Sequence, residues 1–287
     1  MLKFTLASRH MDGGTRERFF YEWSIIHVAL MLTTPSSMRV FKRYVQHFNI
    51  EEATNEMLVY PLSSEQWESF AEHWLENYPD FVSACNERDY VERMQPHRFG
   101  SHRFITSLSN FETIYERKDF HSGGVKLIHF LKKDPSITLA TFNEGLRNRR
   151  AAQLKYALGE KGLIRKYVQN TSIEIDPEVF KGSLFEAGDI GLYAAIEEFW
   201  FDDFEEVARL RNDPQALAAI RSSDAGLVDA EGSISMVVHE RVVFDFVTPG
   251  EKSPLAAIQN PNSLEAAINE QGYHPWVMKQ HAAAMKL

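Results

Sequence analysis

A histidine among aromatic residues at helical spacing is the first place in this chain where chemistry could be done. From Thr15 onward, Phe19, Trp23, Ile26, His27, Leu30 and Met31 recur at intervals of three and four, the period that gathers side chains on one helix face. Imidazole changes charge near neutral pH, so His27 in an aromatic-lined space is a candidate general acid/base. The structural alternative is a core histidine held by one hydrogen bond. Phe19, Trp23 and Met31 would wall the same space. Tyr44 and Gln46 share one face of a strand by its period of two and could orient a hydroxyl or carbonyl. Tyr167 and Gln169 repeat that pair, which equally suits a structural role. Glu198 and Trp200 share a face with Leu192, Ala194 and Ile196. Glu198 is therefore expected at a barrel rim or in a pocket with a raised pKa, as a second candidate for proton transfer. Arg147 and Arg150, three residues apart on a helix, could bind a carboxylate or phenolate, surface exposure being the alternative.

The elements that must position these residues form a repeat. Lys3–His47 laid on Lys126–Asn170 at a constant offset of 123 matches Lys3, Thr15, Phe19, Ala29, Tyr44, Val45 and Gln46 with their counterparts, against about three matches expected from composition. In the first copy the pattern predicts a strand over 2–8, a Gly13-Gly14 turn, a helix capped by Thr15 and ended by Pro35, and a strand over 40–48. A third strand over 56–60, a helix over 64–77 bearing Trp67, Phe70, Ala71 and Trp74, and a strand over 103–108 complete it. In the second copy the predicted order is strand 125–131, helix 138–158, strand 163–168, strand 191–201, helix 204–210 and strand 234–246. Strand, helix, strand, strand, helix, strand is the ferredoxin-like order. Two units result, 1–118 and 124–248, joined by a polar connector ending in Gly123-Gly124. The tail 249–287, with Pro254, Pro261 and Pro275, is expected to pack on the surface.

Composition bounds the partners. A chain of 287 residues, 44% hydrophobic, can bury a large core. A net charge of −9 disfavours nucleic acid, which needs clustered Lys and Arg. No apolar run reaches the roughly 20 residues needed to span a bilayer, and Met1–Ala7 is too short for a signal peptide. Cys85 is the only cysteine, which suits a reducing, cytoplasmic setting and excludes multi-cysteine metal sites. In its polar context it reads as incidental rather than nucleophilic. No nucleophile elbow, phosphate loop, dinucleotide fingerprint or zincin motif occurs. His97, His102, His239 and His274 have no diagnostic metal spacing, so no metal or other cofactor is assigned, although eleven histidines leave metal or haem ligation open in principle.

At Phe20-Tyr21-Glu22-Trp23 followed by His27, the chain resembles the EthD-like family of dimeric α+β barrels, whose first helix carries a tyrosine–tryptophan-like pair and then a histidine. Glu197-Glu198-Phe199-Trp200-Phe201-Asp202 looks like the family's third strand entering its second helix. The resemblance spans Leu2 to Phe246. It implies an α+β fold in which two ferredoxin-like units join their antiparallel sheets into a barrel with helices outside, here within one chain. His27 is replaced by Arg150 and Trp23 by Leu146 in the second copy, so the halves are not expected to be equivalent. The resulting expectation is a cofactor-independent lyase, dehydratase or isomerase acting on a small apolar molecule, aromatic or polyketide-like. His27 moves a proton, Tyr44 and Gln46 orient oxygen, and Arg150, Tyr167 and Trp200 are further binding candidates. A non-catalytic accessory binder is the alternative, and the resemblance also admits a cofactor-free oxygenase or a haem-binding barrel. The chain would act as a monomer, already a pseudo-dimer, or as a homodimer.

Overall fold

A computed structural model describes residues 1–96, 99–121 and 123–248 of the chain. The expected tail, 249–287, and with it His274, lies outside the described residues, as does His97.

Strands β1 (Leu2–Ser8), β2 (Phe41–Asn49), β3 (Ser69–Leu75), β4 (Ile105–Glu116), β5 (Val125–Lys133) and β6 (Lys166–Ser172) are followed by the two-residue β7 (Asp189–Ile190), β8 (Ala195–Phe201) and β9 (Val228–Asp245). Hydrogen bonding runs in the order β1-β3-β2-β9-β5-β8-β6-β4, and β4 pairs back onto β1. Eight strands among the described residues thus close into an antiparallel barrel, and β7 adds a short parallel pairing to β4. The first half reads β4-β1-β3-β2 across the sheet and the second β9-β5-β8-β6. Closure falls to the two longest strands. Ile105–Ser109 of β4 pair with β1 while Ser109–Glu116 pair with β6. In β9, Val228–His239 pair with β5 and Val238–Asp245 with β2. Among the described residues no edge is left to template association along the barrel wall.

Helix α1 runs through Arg16–Tyr21, a π-helical stretch Glu22–His27, and Val28–Leu32. Thr15 caps it by accepting a hydrogen bond from the Arg18 amide at 3.2 Å. Helix α5, built from Leu139–Gly145, the π-helical Leu146–Arg150, Ala151–Leu154 and Lys155–Glu160, is capped by Thr138 in the same way. Pro35 ends the first pattern as expected and opens a short helix, α2 (Pro35–Val40). Helices α3 (Tyr78–Cys85) and α4 (Arg88–Arg93) precede β4, and α6 (Glu205–Asn212) and α7 (Pro214–Asp224) precede β9. The helices lie outside the barrel, and the central strands β3 and β8 are buried along their whole length, on both faces.

That double burial explains the main departure from expectation. Residues 64–77 are not a helix: Ser69–Leu75 is strand β3, every residue of which is buried. With no solvent face there is no alternation, and Phe70, Ala71 and Trp74 imitate a helical period. The helix of this segment comes later, at Tyr78–Cys85, capped by Asn77. Residues 56–60 are not a strand either. Asn55–Met57 is a 3-10 turn, and Leu58 and Tyr60 pack into the core of the second half. Cys85 is buried, not in a polar setting, and burial pushes its thiol up to about 12.

The barrel interior carries charge. Lys3 Nζ lies 2.9 Å from Glu72 and 2.6 Å from Glu198, and Lys126 Nζ lies 2.6 Å from Glu198, 2.8 Å from Glu240 and 3.5 Å from Glu72. Because β1 and β8 share no ladder, the Lys3–Glu198 bond crosses the lumen. Each ammonium also sits over an indole, Lys3 over Trp74 at 4.6 Å and Lys126 over Trp200 at 4.0 Å. Burial alone would raise the Glu198 carboxyl, but Lys126 and Lys3 hold it well below the usual range. Lys126 and His47 do the same for Glu240 against the same opposing burial.

Breaking a buried pair leaves an uncompensated charge at a cost of about 3–5 kcal/mol. We therefore expect Lys126→Met to lower the unfolding free energy in urea by that amount, and Lys42→Met, which loses a looser pairing with Glu76 and an exposed hydrogen bond to the Arg39 carbonyl, by less than about 1 kcal/mol. Since Glu198 and Glu240 ionise below the unfolded glutamate value of about 4.3, their contribution is complete above that pH and is lost as pH falls toward the folded values. Urea midpoints should accordingly fall from about pH 5 downward.

Candidate functional site

His27 closes the π-helical segment of α1, and Arg150 closes the matching segment of α5. A π-turn inserts an extra residue and re-aims the side chains beyond it. In both halves a glutamine from the neighbouring strand answers the disturbed helix backbone. Gln46 Nε2 donates to the Trp23 carbonyl at 3.0 Å and to the Tyr44 hydroxyl at 2.8 Å. Gln169 Nε2 donates to the Leu146 carbonyl at 3.4 Å and to the Tyr167 hydroxyl at 2.6 Å. The tyrosine–glutamine pair thus positions the helix on the sheet in both halves. Tyr44 then stacks on His73 at 4.5 Å, and Tyr167 on Phe199 at 4.7 Å.

Between α1 and the sheet lies a cavity of about 370 Å³. Trp23, His27 and Met31 line it from the helix, Phe4, Tyr44, Ala71 and His73 from the strands, and Ser37, Tyr90 and Met94 from the short helices and the residue after them. Phe19 is buried behind Trp23, ring to ring at 6.1 Å. His27 stands 5.2 Å from the Phe99 ring and is partly exposed to this space. Two loops form the outer wall, residues 99–104 ahead of β4 and Ser183–Ala187 from the β6–β8 connection of the opposite half. Phe180 and Phe185 anchor that connection on Phe4 and Phe81 at 5.0–6.0 Å. Gly188 lets it pass close to Phe104, where a Cβ would come within 2.5 Å of the ring. The connection was not legible in sequence, although Phe180 and Phe185, spaced among Gly182, Gly188 and Gly191, are its signal.

The matching space in the second half is filled. Arg150, fully buried rather than at the surface, grips Glu197 through two hydrogen bonds of 2.9 and 2.8 Å. It also donates to Asp224 at 2.5 Å, to Ser223 at 2.7 Å and to the Tyr60 hydroxyl at 3.2 Å. Tyr60 arrives from the β2–β3 connection of the first half and donates to Asp224 at 2.8 Å. The Tyr167 hydroxyl donates to Glu197 at 2.5 Å. Burial works against ionisation of Glu197, yet Arg150 holds its carboxyl below the usual value. Burial pushes the Tyr167 hydroxyl well up. Arg150 and Tyr167 therefore belong to a closed network and not to the open cavity. Arg147 is exposed, so the two arginines do not act as a pair. Glu198 and Trp200 face the lumen, and Glu198, far from having a raised pKa, is held down by its lysines.

His47, Glu72 and Glu240 offer ligand atoms within 4.8 Å of one another. Lys126 Nζ already occupies their centre, 2.7 Å from His47 Nε2, so an ammonium supplies the positive charge there.

A closed antiparallel barrel with helices outside defines an α+β barrel protein. Residues 134–231, within the second half, match the model of the EthD domain. An anthrone oxidase-like protein has the same fold, with a TM-score of 0.55 at 10% identity over 87% of this chain and 96% of its own. A monooxygenase-type protein from Lactobacillus acidophilus aligns with a TM-score of 0.43 at 8% identity over 83% and 93% of the two chains, and a chlorite dismutase-type protein with 0.45 at 12% over 83% and 94%. No curated protein matches the chain by sequence. Among the described residues no helix is long and apolar enough to cross a membrane.

Removing Arg150 would leave Glu197 without its counter-ion in a dry core. Arg150→Met should cost about 3–5 kcal/mol in urea unfolding, whereas His27→Ala, at the edge of a cavity, should cost less than about 2 kcal/mol.

Proposed function

We propose that the chain is an enzyme that binds a small, largely apolar aromatic molecule in the N-terminal cavity and transforms it by proton transfer at His27. The observation that carries this reading is the asymmetry of the halves. One space is filled by the network of Arg150 and Glu197, and its counterpart, with His27 and Ala71 at the corresponding places, stays open. Its volume of about 370 Å³ falls in the range of small-molecule sites, roughly 300–1,000 Å³, and its lining is mostly apolar and rich in aromatic rings, with histidines and serines among them. The two units that build it are read as tandem ferredoxin-like repeats, 1–118 and 124–248, each closing the other's barrel.

In this reading the His27 imidazole takes a proton from carbon beside a carbonyl or hydroxyl-bearing carbon. It returns the proton at another atom in an isomerisation, or to a departing hydroxyl in a loss of water. The aromatic walls and the loop from the opposite half exclude bulk solvent. The solved structure of an anthrone oxidase-like protein shares this fold, and an aromatic ketone is among the ligands that the apolar, ring-rich lining would accept. Arg150, Tyr167, Glu198 and Trp200 have no part in the reaction, and Gln46 acts by holding Tyr44 and the helix.

Native mass spectrometry of the purified protein should reveal a bound aromatic molecule, which Ala71→Leu, projecting into the cavity, should exclude without loss of fold. With that molecule or its close analogues as substrate, His27→Ala should retain binding while turnover drops about 10²–10⁴-fold, the usual contribution of a general acid/base. Unchanged turnover in His27→Ala would place the proton transfer on another residue, and binding without any turnover by the wild-type protein would make it a non-catalytic binder.

A further inference from the structure

The open cavity contains buried polar atoms that the proton-transfer reading does not use. His73, on β3, is 8% exposed, and Ser37, on α2, is 1% exposed. Both line the cavity. Nδ1 of His73 and Oγ of Ser37 are buried without any hydrogen-bond partner in the protein. A buried polar atom left unpaired is costly, on the order of 1–3 kcal/mol, and such atoms in native structures have a partner from outside the chain or a functional reason. His73 is not there to fill space. Phe199 occupies the corresponding place in the second half, stacked on Tyr167 as His73 is on Tyr44. An aromatic hydrocarbon satisfies that stacking in one half, and a ring with two nitrogens stands in its place only where the cavity is open.

The charge around these atoms defines what they accept. Burial pushes the His73 imidazole down to about 3, against a smaller opposing contribution from an approach to the Phe4 backbone that is not a well-formed hydrogen bond, since Nδ1 lacks a partner of good geometry, so the ring is neutral at physiological pH. No Lys or Arg lines the cavity among the described residues, and its one carboxylate, Glu186, is exposed on the outer loop. A ligand carboxylate or phosphate would shed its water with no fixed cation to receive it. A phenolic hydroxyl or ring carbonyl needs no counter-ion, and neutral imidazole and serine can each donate to or accept from it.

We propose that His73 and Ser37 are specificity-determining residues that recognise a neutral oxygen substituent on an aromatic ligand, so that the site takes phenols and aromatic ketones and rejects aromatic carboxylates. This rests on the reading of the cavity as a ligand site.

The test is equilibrium dialysis of the full chain at pH 7 against naphthalene, 1-naphthol and 1-naphthoate. Wild-type protein should bind 1-naphthol about fivefold to tenfold more tightly than naphthalene, the gain expected of one or two net hydrogen bonds, and naphthoate more weakly than either. In His73→Phe, which restores the residue type of the second half, and in Ser37→Ala, the advantage of naphthol over naphthalene should shrink to under about twofold while naphthalene still binds. Equal binding of naphthol and naphthalene to wild type overturns the recognition site and leaves the cavity reading intact. The recognition site is likewise overturned if the naphthol advantage survives in every variant that folds, or if naphthoate binds best. Binding of none of the three removes the cavity reading itself, and this inference with it.

Discussion

Two lysines and two glutamates inside the barrel set the condition that the rest of the molecule meets. Lys3 and Glu72 come from the first half, Lys126 and Glu198 from the second, and each lysine bonds the glutamate of both halves. Water cannot reach them, so each charge is tolerable only with its partners in place. That couples the register of four strands to one geometry: a slip of one residue in β1, β3, β5 or β8 would turn its charged side chain out of the lumen and strand the others. Glu240 and His47 extend the lattice to the seam between β2 and β9, one of the two places where the halves join. An apolar interior could have been as stable, but it would have specified the closure less narrowly.

With the lumen committed to ions, the apolar cavity that carries His27 lies between the sheet and its outer helices. There the halves diverge through few positions. Where Arg150 and Glu197 stand, the space is bridged and filled; where His27 and Ala71 stand, it is open. The connections between central strands are exchanged, Tyr60 of the first half completing the network of the second and Phe180 to Ala187 of the second walling the cavity of the first. The cavity is thus a property of the whole chain, and neither half would present it alone.

Both helices carry a π-turn at the same place, each answered by the glutamine two residues after a tyrosine. This makes the repeated Tyr-Val-Gln a packing device that holds the helix at a fixed distance from the sheet. Two histidines of the cavity are placed by that frame. His27 stands at the end of the π-turn, and His73 faces the same cavity from the strand opposite, where an ordinary core would place a hydrocarbon ring.

Residue types and their spacing were enough to reveal the helices that begin after Thr15 and Thr138 and the aromatic face that carries His27, because each of these is a local pattern. The same spacing misleads at β3, which looks helical because a strand buried on both faces has no alternation to show. Everything that depends on how distant segments meet was settled by the folded chain alone. Glu198 and Trp200 entered the lumen, because which face of a strand points inward depends on how the sheet closes. Arg150 was buried, because the charges that neutralise it lie 47 and 74 residues away in the chain. His73, Ser37 and the 183–187 loop came to His27, since a cavity is made by contacts between segments whose spacing in sequence carries no trace of their meeting.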